Sequence, residues 1–368
     1  MRAAGIAACA ALLASCLCGA AVSREISATT QGDWIRKFEA LRCDPHAIRM
    51  ASREPLRFAA VGPCYQLPSQ FRGGNRDRLR AVTVDAGRSE VRIIELGPHL
   101  VEADSIKGTP EGRWRWLVPA SASDAPPVSF DMKEIGPGDA EPRVASRATL
   151  TFALDGYVRA HRGNMCWLVG GARFALIASE GSSPQVLEAS SLRGVRFWHP
   201  REQAFAVQVA GEGSQYRLLD CDGNLRPLPE ADASRMQQLG KDSRVAIAGN
   251  GDWAFESTNG LQLSGEYDSP DEIHILQGDA HRTFGWFGTL GKGCPDIACN
   301  WDTDLLWRPE WSASGAFILV QGVPRLYVLR ASNLKIMRKW SGSGSAALLS
   351  DSLVMSLERN RGVTFYRW

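Results

Sequence analysis

The chain has 368 residues, 44% of them hydrophobic, 22% charged and 8% aromatic, values that exclude disordered, collagen-like and coiled-coil classes. Lys+Arg is 42 against Asp+Glu 40, a formal net charge of +2, which argues against a chain-wide affinity for nucleic acid or an anionic membrane. Gly at 36 and Trp at 12 mean many turns and many large aromatics, a balance that suits an all-β protein.

Met1-Arg2 is followed by an almost uncharged run from Ala3 to Val22, then Ser23-Arg24-Glu25. One positive charge before a short apolar stretch is a signal-peptide pattern, so residues 1–21 are expected to be a leader that takes the chain out of the cytoplasm. An uncleaved anchor helix is the competing reading, at the lower length limit for a bilayer span. Leu13-Ala14-Ser15-Cys16 resembles the lipobox of bacterial lipoproteins. That resemblance implies a lipid on Cys16 and a membrane contact through it alone. Gly19-Ala20-Ala21 and Ala21-Val22-Ser23 offer the alternative, an ordinary signal-peptidase cut and a product released to the periplasm or the exterior.

The chain has nine cysteines. A cut after Ala21 leaves Cys43, Cys64, Cys166, Cys221, Cys294 and Cys299, an even set suited to an oxidising compartment. A cut before Cys16 would instead leave Cys18 as an odd thiol. Six cysteines allow fifteen pairings. Cys294 and Cys299 enclose the shortest loop, worth about 2 kcal/mol by chain entropy. Neighbours in sequence then suggest Cys43 with Cys64 and Cys166 with Cys221. There is no CxxC, HExxH or zinc-spaced Cys/His cluster, so disulfides outrank a metal site, and no cofactor is expected.

Asp33 to Arg42 reads as a short amphipathic helix, with Asp33 as its cap and Trp34, Phe38 and Leu41 on one face. Residues 22–55 are then an N-terminal extension, and the main β domain is expected over 56–368. Arg80–Val84 and Val91–Leu96 around Gly87 read as a hairpin. The Pro-rich segment 119–146 reads as a long loop or linker and the one candidate domain boundary. From residue 147, strand-like runs recur, among them 165–169, 173–178, 204–209, 215–220, 316–321, 325–330, 346–349, 352–357 and 362–367. Turn pairs such as Asp222-Gly223 and Asn250-Gly251 lie between them. Many short strands with no alternating helices point to a sandwich, barrel or propeller.

A repeat narrows the choice. Trp198-His199-Pro200 precedes two apolar strands, and so does Trp307-Arg308-Pro309. The tryptophans lie about 109 residues apart, room for two propeller blades. Pro309-Glu310-Trp311-Ser312-Ala313-Ser314-Gly315, followed by the apolar run 316–320, resembles the strand start of Tol-type and WD-repeat-like β-propellers. Leu326-Tyr327-Val328-Leu329 resembles the next strand of such a blade. Ser314 stands where those blades usually carry Asp. The resemblance implies a six- or seven-bladed β-propeller, and a pair of β-sandwich-like domains split within 119–146 is the alternative. The terminal strand 363–368 is expected to pair with Leu56–Val61 and close the ring.

The sequence holds no GxSxG, Walker A or dinucleotide motif. Ser332-Asn333-Leu334-Lys335 fits S-x-x-K yet reads as a turn. Asp220/Asp222 and Asp302/Asp304 are spaced as Ca²⁺ ligands could be, but turn residues are the stronger reading. Glu266–Glu272 is an acidic loop, and Gly288–Gly293 lacks P-loop spacing. Arg72, Arg76, Arg78 and Arg80 form a basic stretch that suits an acidic partner or plain solvent. The six histidines (His46, His99, His161, His199, His274 and His281) are scattered, though a propeller channel could gather distant ones. The resulting expectation is a non-catalytic, exported propeller that binds a protein or cell-envelope component and no nucleic acid. A polysaccharide hydrolase or lyase is the first alternative and would need two channel carboxyls about 5–9 Å apart. An inhibitor or immunity-type protein is the second.

Overall fold

The computed structural model describes residues 32–41, 43, 45, 47–62, 78–98, 105–109, 111–120, 128–150, 159–163, 166–170, 174–178, 185–187, 192–209, 215–236, 239, 245–257, 272–285, 309–321, 325–341, 344–358 and 362–368. A helix α1 (Asp33–Glu39) comes first. The described strands then form seven antiparallel sheets, each a meander taken in chain order. The first holds β1 (Ala47–Arg53), β2 (Leu56–Gly62), β3 (Arg78–Asp85) and β4 (Glu90–Pro98). The second holds β5 (Ile106–Gly108), β6 (Trp114–Pro119), β7 (Val128–Ile135) and β8 (Arg143–Leu150). The third holds β9 (Arg159–Arg162), β10 (Cys166–Gly170), β11 (Phe174–Ala178) and β12 (Gln185–Leu187). The fourth holds β13 (Leu192–His199), β14 (Ala204–Val209), β15 (Gln215–Asp220) and β16 (Leu225–Pro227), and leads into helix α2 (Glu230–Met236). The fifth holds β17 (Val245–Ile247), β18 (Trp253–Ser257), β19 (Glu272–Gln277) and β20 (Ala280–Gly285). The sixth holds β21 (Glu310–Trp311), β22 (Phe317–Gln321), β23 (Arg325–Arg330) and β24 (Ile336–Ser341). The seventh has three strands, β25 (Gly344–Ser350), β26 (Leu353–Glu358) and β27 (Gly362–Arg367).

Apolar side chains on both faces of each sheet pack against the sheets before and after it. Trp116 and Ile106 join the first two sheets, Trp167 and Phe130 the second and third, Phe205 and Leu176 the third and fourth. Phe255 and Ala206 join the fourth and fifth, Tyr327 and Ile275 the fifth and sixth, Val328 and Leu348 the sixth and seventh. The seventh returns to the first through Met355, Leu357, Phe58 and Val82. Sequential sheets that close on themselves make a β-propeller, an architecture that leaves only short, protected edges. The first strands meet one another: β25 and β5 flank β1, β9 lies beside β13, and β21 lies beside β17 and β25. The first strand of each sheet therefore faces the common axis.

Turn chemistry fits this pattern. The Asp220 carboxylate accepts the backbone N–H groups of Asp222 (3.0 Å) and Asn224 (2.8 Å). Gly223 then takes φ +85°, a left-handed conformation that an L side chain would resist. The pair Asp220/Asp222 is thus turn chemistry, and so is the S-x-x-K segment. Leu334 donates to the Arg330 carbonyl (2.8 Å) and Lys335 to the Asn333 side chain (3.0 Å).

Several expectations are corrected. The propeller begins at Ala47, since β1 is already paired along β2, ahead of residue 56. The segment 119–146 is no boundary, and the two-sandwich alternative does not form, because β6, β7 and β8 pair as neighbours within one sheet. Its charges hid it. Glu134 is 3% exposed yet is met by Arg115 (3.0 Å), Arg113 (3.4 Å) and Arg143, and Asp131 pairs with Arg147 across the strands (2.5 Å). The terminal strand β27 pairs with β26 and not with β2. Strand β2 is already flanked by β1 and β3, so it has no free edge to offer. Finally, register places Trp311 opposite Ile318 and Trp198 opposite Phe205, each the second residue of the next strand. Trp311, rather than Trp307, is therefore the structural equivalent of Trp198, and the two still lie two sheets apart.

In α1 the apolar face is as expected, with Trp34 and Phe38 buried and Leu41 partly so. Gly32, not Asp33, is the cap residue. Asp33 sits in the first turn, where it pairs with Arg36 (2.6 Å) and Lys37 (3.2 Å).

Candidate functional site

The axial strands carry an unequal charge. They hold Arg49 and Arg53 on β1, Lys107 on β5, Arg159 and Arg162 on β9, and Arg193 and Arg196 on β13. Against these stands one carboxylate, Glu310 on β21; β17 and β25 bring no charge. The whole chain is nearly neutral, so this excess belongs to the axis and not to the composition. Not all of it is open to a ligand: Lys107 is 6% exposed and lies over the Trp167 ring, 4.5 Å from its centroid.

Glu310 is where opposite charges meet. Its Oε1 lies 3.2 Å from Arg53 Nη2, and the Nε of the same guanidinium donates to the Leu348 carbonyl (2.9 Å). The contact runs from the first sheet to the sixth past the backbone of the seventh, so it bridges strands that face the axis. Burial pushes the Glu310 carboxyl up to about 7, while Arg53, Arg49 and a backbone hydrogen bond from Leu348 pull the other way. Desolvation of this kind marks candidate functional carboxyls. Arg193, by contrast, is exposed at the start of β13.

Two histidine sites are also brought together. His199 is 2% exposed. Its Nδ1 accepts the Glu202 backbone N–H (3.3 Å), so the proton sits on Nε2, which donates to Asp232 (3.1 Å) on α2. Arg235 holds the other Asp232 oxygen (3.3 Å). Burial alone would push the Asp232 carboxyl up; the hydrogen bond from His199 and the charges of Arg235 and Arg201 outweigh it and hold the carboxyl below its ordinary value. Both imidazole nitrogens are committed, so this pair fastens α2 to the fourth sheet and has no lone pair for a substrate proton. On the hairpin of β19 and β20, His274 Nδ1 lies 2.8 Å from His281 Nε2, and His274 stacks on Phe255 (4.9 Å, 6° between planes). Neither pair was legible in scattered sequence positions.

A hollow between the first two sheets is lined in part by Arg57, Asp85, Glu90 and Arg92. Its charges are satisfied internally, Arg57 by Asp85 (2.9 Å) and Arg92 by Glu90 (3.3 Å).

Cys166 and Cys221 form a disulfide, with Cα atoms 5.6 Å apart. Cys43 is also a disulfide cysteine. Cys16, Cys64, Cys294 and Cys299 lie outside the described residues, as do Arg72, Arg76, Asp302, Asp304, His46 and His99. So does nearly all of the acidic and Gly-rich loops. Arg80 pairs with Glu95 (3.6 Å) on the neighbouring strand, so that member of the basic stretch belongs to a sheet and not to a loop.

No family model matches the sequence, and no curated protein sequence matches it either. Solved structures do. The β-propeller domain of Cps50 (Swd1) from Myceliophteria thermophila aligns at 8% identity and TM-score 0.49, over 89% of this chain and 96% of that one. The periplasmic gluconolactonase PpgL of Pseudomonas aeruginosa aligns at 12% identity and TM-score 0.43, over 80% and 89%. The β-propeller domain of the trilobed protease of Pyrococcus furiosus, described as having an open velcro topology, aligns at 10% identity and TM-score 0.43, over 89% and 93%. These are likenesses of fold.

Proposed function

We propose that this chain is an exported binding propeller that engages a protein or cell-envelope partner without performing chemistry on it. The observation that carries this reading is the charge of the axial strands, whose sequences hold seven basic residues and one carboxylate. An excess of positive charge on these strands favours an acidic partner. Acid–base cleavage of a polysaccharide calls for two carboxyls, and Glu310, the carboxyl of the axial strands, is ion-paired with Arg53. The leader-like N-terminus and the Cys166–Cys221 bridge support export, since disulfides persist in oxidising compartments.

Two measurements test this. Fractionation of wild type and Cys16→Ala reads the route of export. Membrane retention of the wild type with release of the variant supports a lipid anchor, identical release supports a free product, and cytoplasmic retention of both overturns export. Affinity capture from envelope extracts, run with wild type and Arg193→Glu, reads the binding role. One acidic component that the wild type recovers and the variant loses is the expected result. No component above background with the wild type overturns the reading.

A further inference from the structure

We propose that His274 on β19 and His281 on β20 form a chelate site for a divalent transition-metal ion of the nickel or zinc type, on the outer hairpin of the fifth sheet. The site is separate from the axial strands and stands apart from the reading of the axis as a binding surface.

Strand register puts the two rings together. His274 pairs with Thr283 and Leu276 with His281, so the histidines are diagonal neighbours on one face of the hairpin. Arg282 pairs with Ile275 and lies on the opposite face, where it donates to Gln277 (3.0 Å). His274 Nδ1 and His281 Nε2 lie 2.8 Å apart. Only one hydrogen fits between two nitrogens at that distance, so at least one lone pair points into the gap. His274 is held by its stack on Phe255 (4.9 Å between centroids, 6° between planes), and Phe255 is itself buried. His281 is exposed, so its ring turns with little resistance.

Imidazole nitrogens bind a transition metal at about 2.0–2.1 Å. Two such bonds set the nitrogens about 3.0 Å apart at a right angle and about 3.4 Å apart at a tetrahedral one. The gap therefore has to open by only a few tenths of an ångström, through rotation of the His281 ring. The ion takes a lone pair from each ring, and a hydrogen that lay between them leaves to solvent as a proton. Imidazole donors select nickel, copper and zinc over calcium and magnesium, which take oxygen ligands. Among the described residues no third His, Cys, Asp or Glu completes a group with the pair. A two-imidazole site leaves coordination positions to water and exchanges its ion, unlike a closed structural site with four protein ligands. The histidines stand seven positions apart, and the turn at Gly278 (φ +54°) folds β20 back to bring them together.

The test is calorimetric titration of the full-length, untagged protein with nickel chloride and, separately, zinc chloride, at about pH 7.5, where a model imidazole is neutral. Calcium chloride is the oxygen-seeking control. Wild type should show a saturable phase for Ni²⁺ and Zn²⁺ that His274→Gln and His281→Gln both lose, and Ca²⁺ should neither bind there nor displace the bound ion. The loss should be at least about tenfold in Kd, since even a residue that only supports a ligand costs that much. His161→Gln, on another sheet, should bind as wild type does. Two imidazole C–H resonances, missing in turn from the spectra of His274→Gln and His281→Gln, should shift on addition of Zn²⁺. No Ni²⁺ or Zn²⁺ binding by wild type overturns the proposal. So does binding that survives unchanged in both variants, and so does displacement by Ca²⁺. His281→Gln alters an exposed side chain, so it still decides if His274→Gln proves unfolded by circular dichroism.

Discussion

Between the third and fourth sheets, Cys166 and Cys221 are covalently joined inside a cluster that includes Leu168, Leu176, Phe205 and Leu219. Between the seventh and first sheets, the ring is closed by α1. Trp34 stands edge-on to Phe58 of the first sheet (5.7 Å) and to Phe365 of the seventh (6.3 Å). Glu39 accepts the Val363 backbone N–H (3.2 Å), and Lys37 donates to the Ser89 carbonyl (2.9 Å). The first junction joins segments 55 residues apart; the second joins the two ends of the described chain. The contrast teaches that a junction can be secured through either state of the folding equilibrium. The disulfide acts chiefly by restricting the unfolded chain. The helix acts only in the folded one, by burying two aromatic rings where a returning strand was expected.

Removing the ring that closes the seam should have the largest effect. Trp34→Ala deletes a fully buried indole and should lower unfolding free energy by about 3–5 kcal/mol, measured by urea denaturation. Its dependence on denaturant should be unchanged, and amide exchange should rise first in β27 and β1. Cys166→Ala with Cys221→Ala opens a loop of 55 residues, for which chain entropy predicts a loss of about 4 kcal/mol. Here the denatured state expands, so the denaturant dependence should steepen. A steeper slope for Trp34→Ala, or an unchanged one for the cysteine pair, would erase the distinction between the two junctions. The two changes share no packing partners, so together they should add to within about 0.5 kcal/mol.

The same contrast explains what could be read in advance. Neighbourhood in sequence suggested Cys166 with Cys221, one of fifteen possible pairings, and the spacing of Trp34 and Phe38 marked the buried face of α1. Apolar runs such as Phe205–Val207 and Val354–Met355 announced their strands because both faces of those sheets are buried. Strand β1 did not announce itself: Ala-Ile-Arg-Met-Ala-Ser-Arg is only partly buried along its whole length. Strands β7 and β8 read as linker because prolines punctuate the segment and apolar residues are rarely consecutive there; Asp131 and Glu134 are buried only through their cross-strand arginines. Helix α2 was not anticipated: of its seven residues only Asp232 and Met236 are buried, and Asp232 is held there by His199. The axial site was least legible. Glu310 lies in a two-residue strand and meets a partner 257 positions away, a separation that only closure of the ring can bring to contact.

The smallest expected effect sharpens the comparison from the axial side of the seam, where Arg53 of the first sheet reaches Leu348 of the seventh and Glu310 of the sixth. The Glu310 carboxyl is raised from 4.5 to about 7, so the folded state holds its proton where the unfolded state has released it. Stability from this group is therefore full below about pH 4.5 and is lost as pH rises toward 7, the reverse of an ordinary ion-paired carboxylate. Glu310→Gln should match wild type near pH 4 and exceed it by about 2 kcal/mol near pH 8, a figure discounted from the full shift because the side chain is 28% exposed and partly screened by solvent. Denaturation midpoints of both proteins across that range measure it. A Glu310→Gln protein less stable than wild type at pH 8 would mean that the Arg53 contact acts as a clasp comparable to α1. The expected gain would mean that the seam is held at its rim by Trp34 and that the Arg53–Glu310 contact adds little to it.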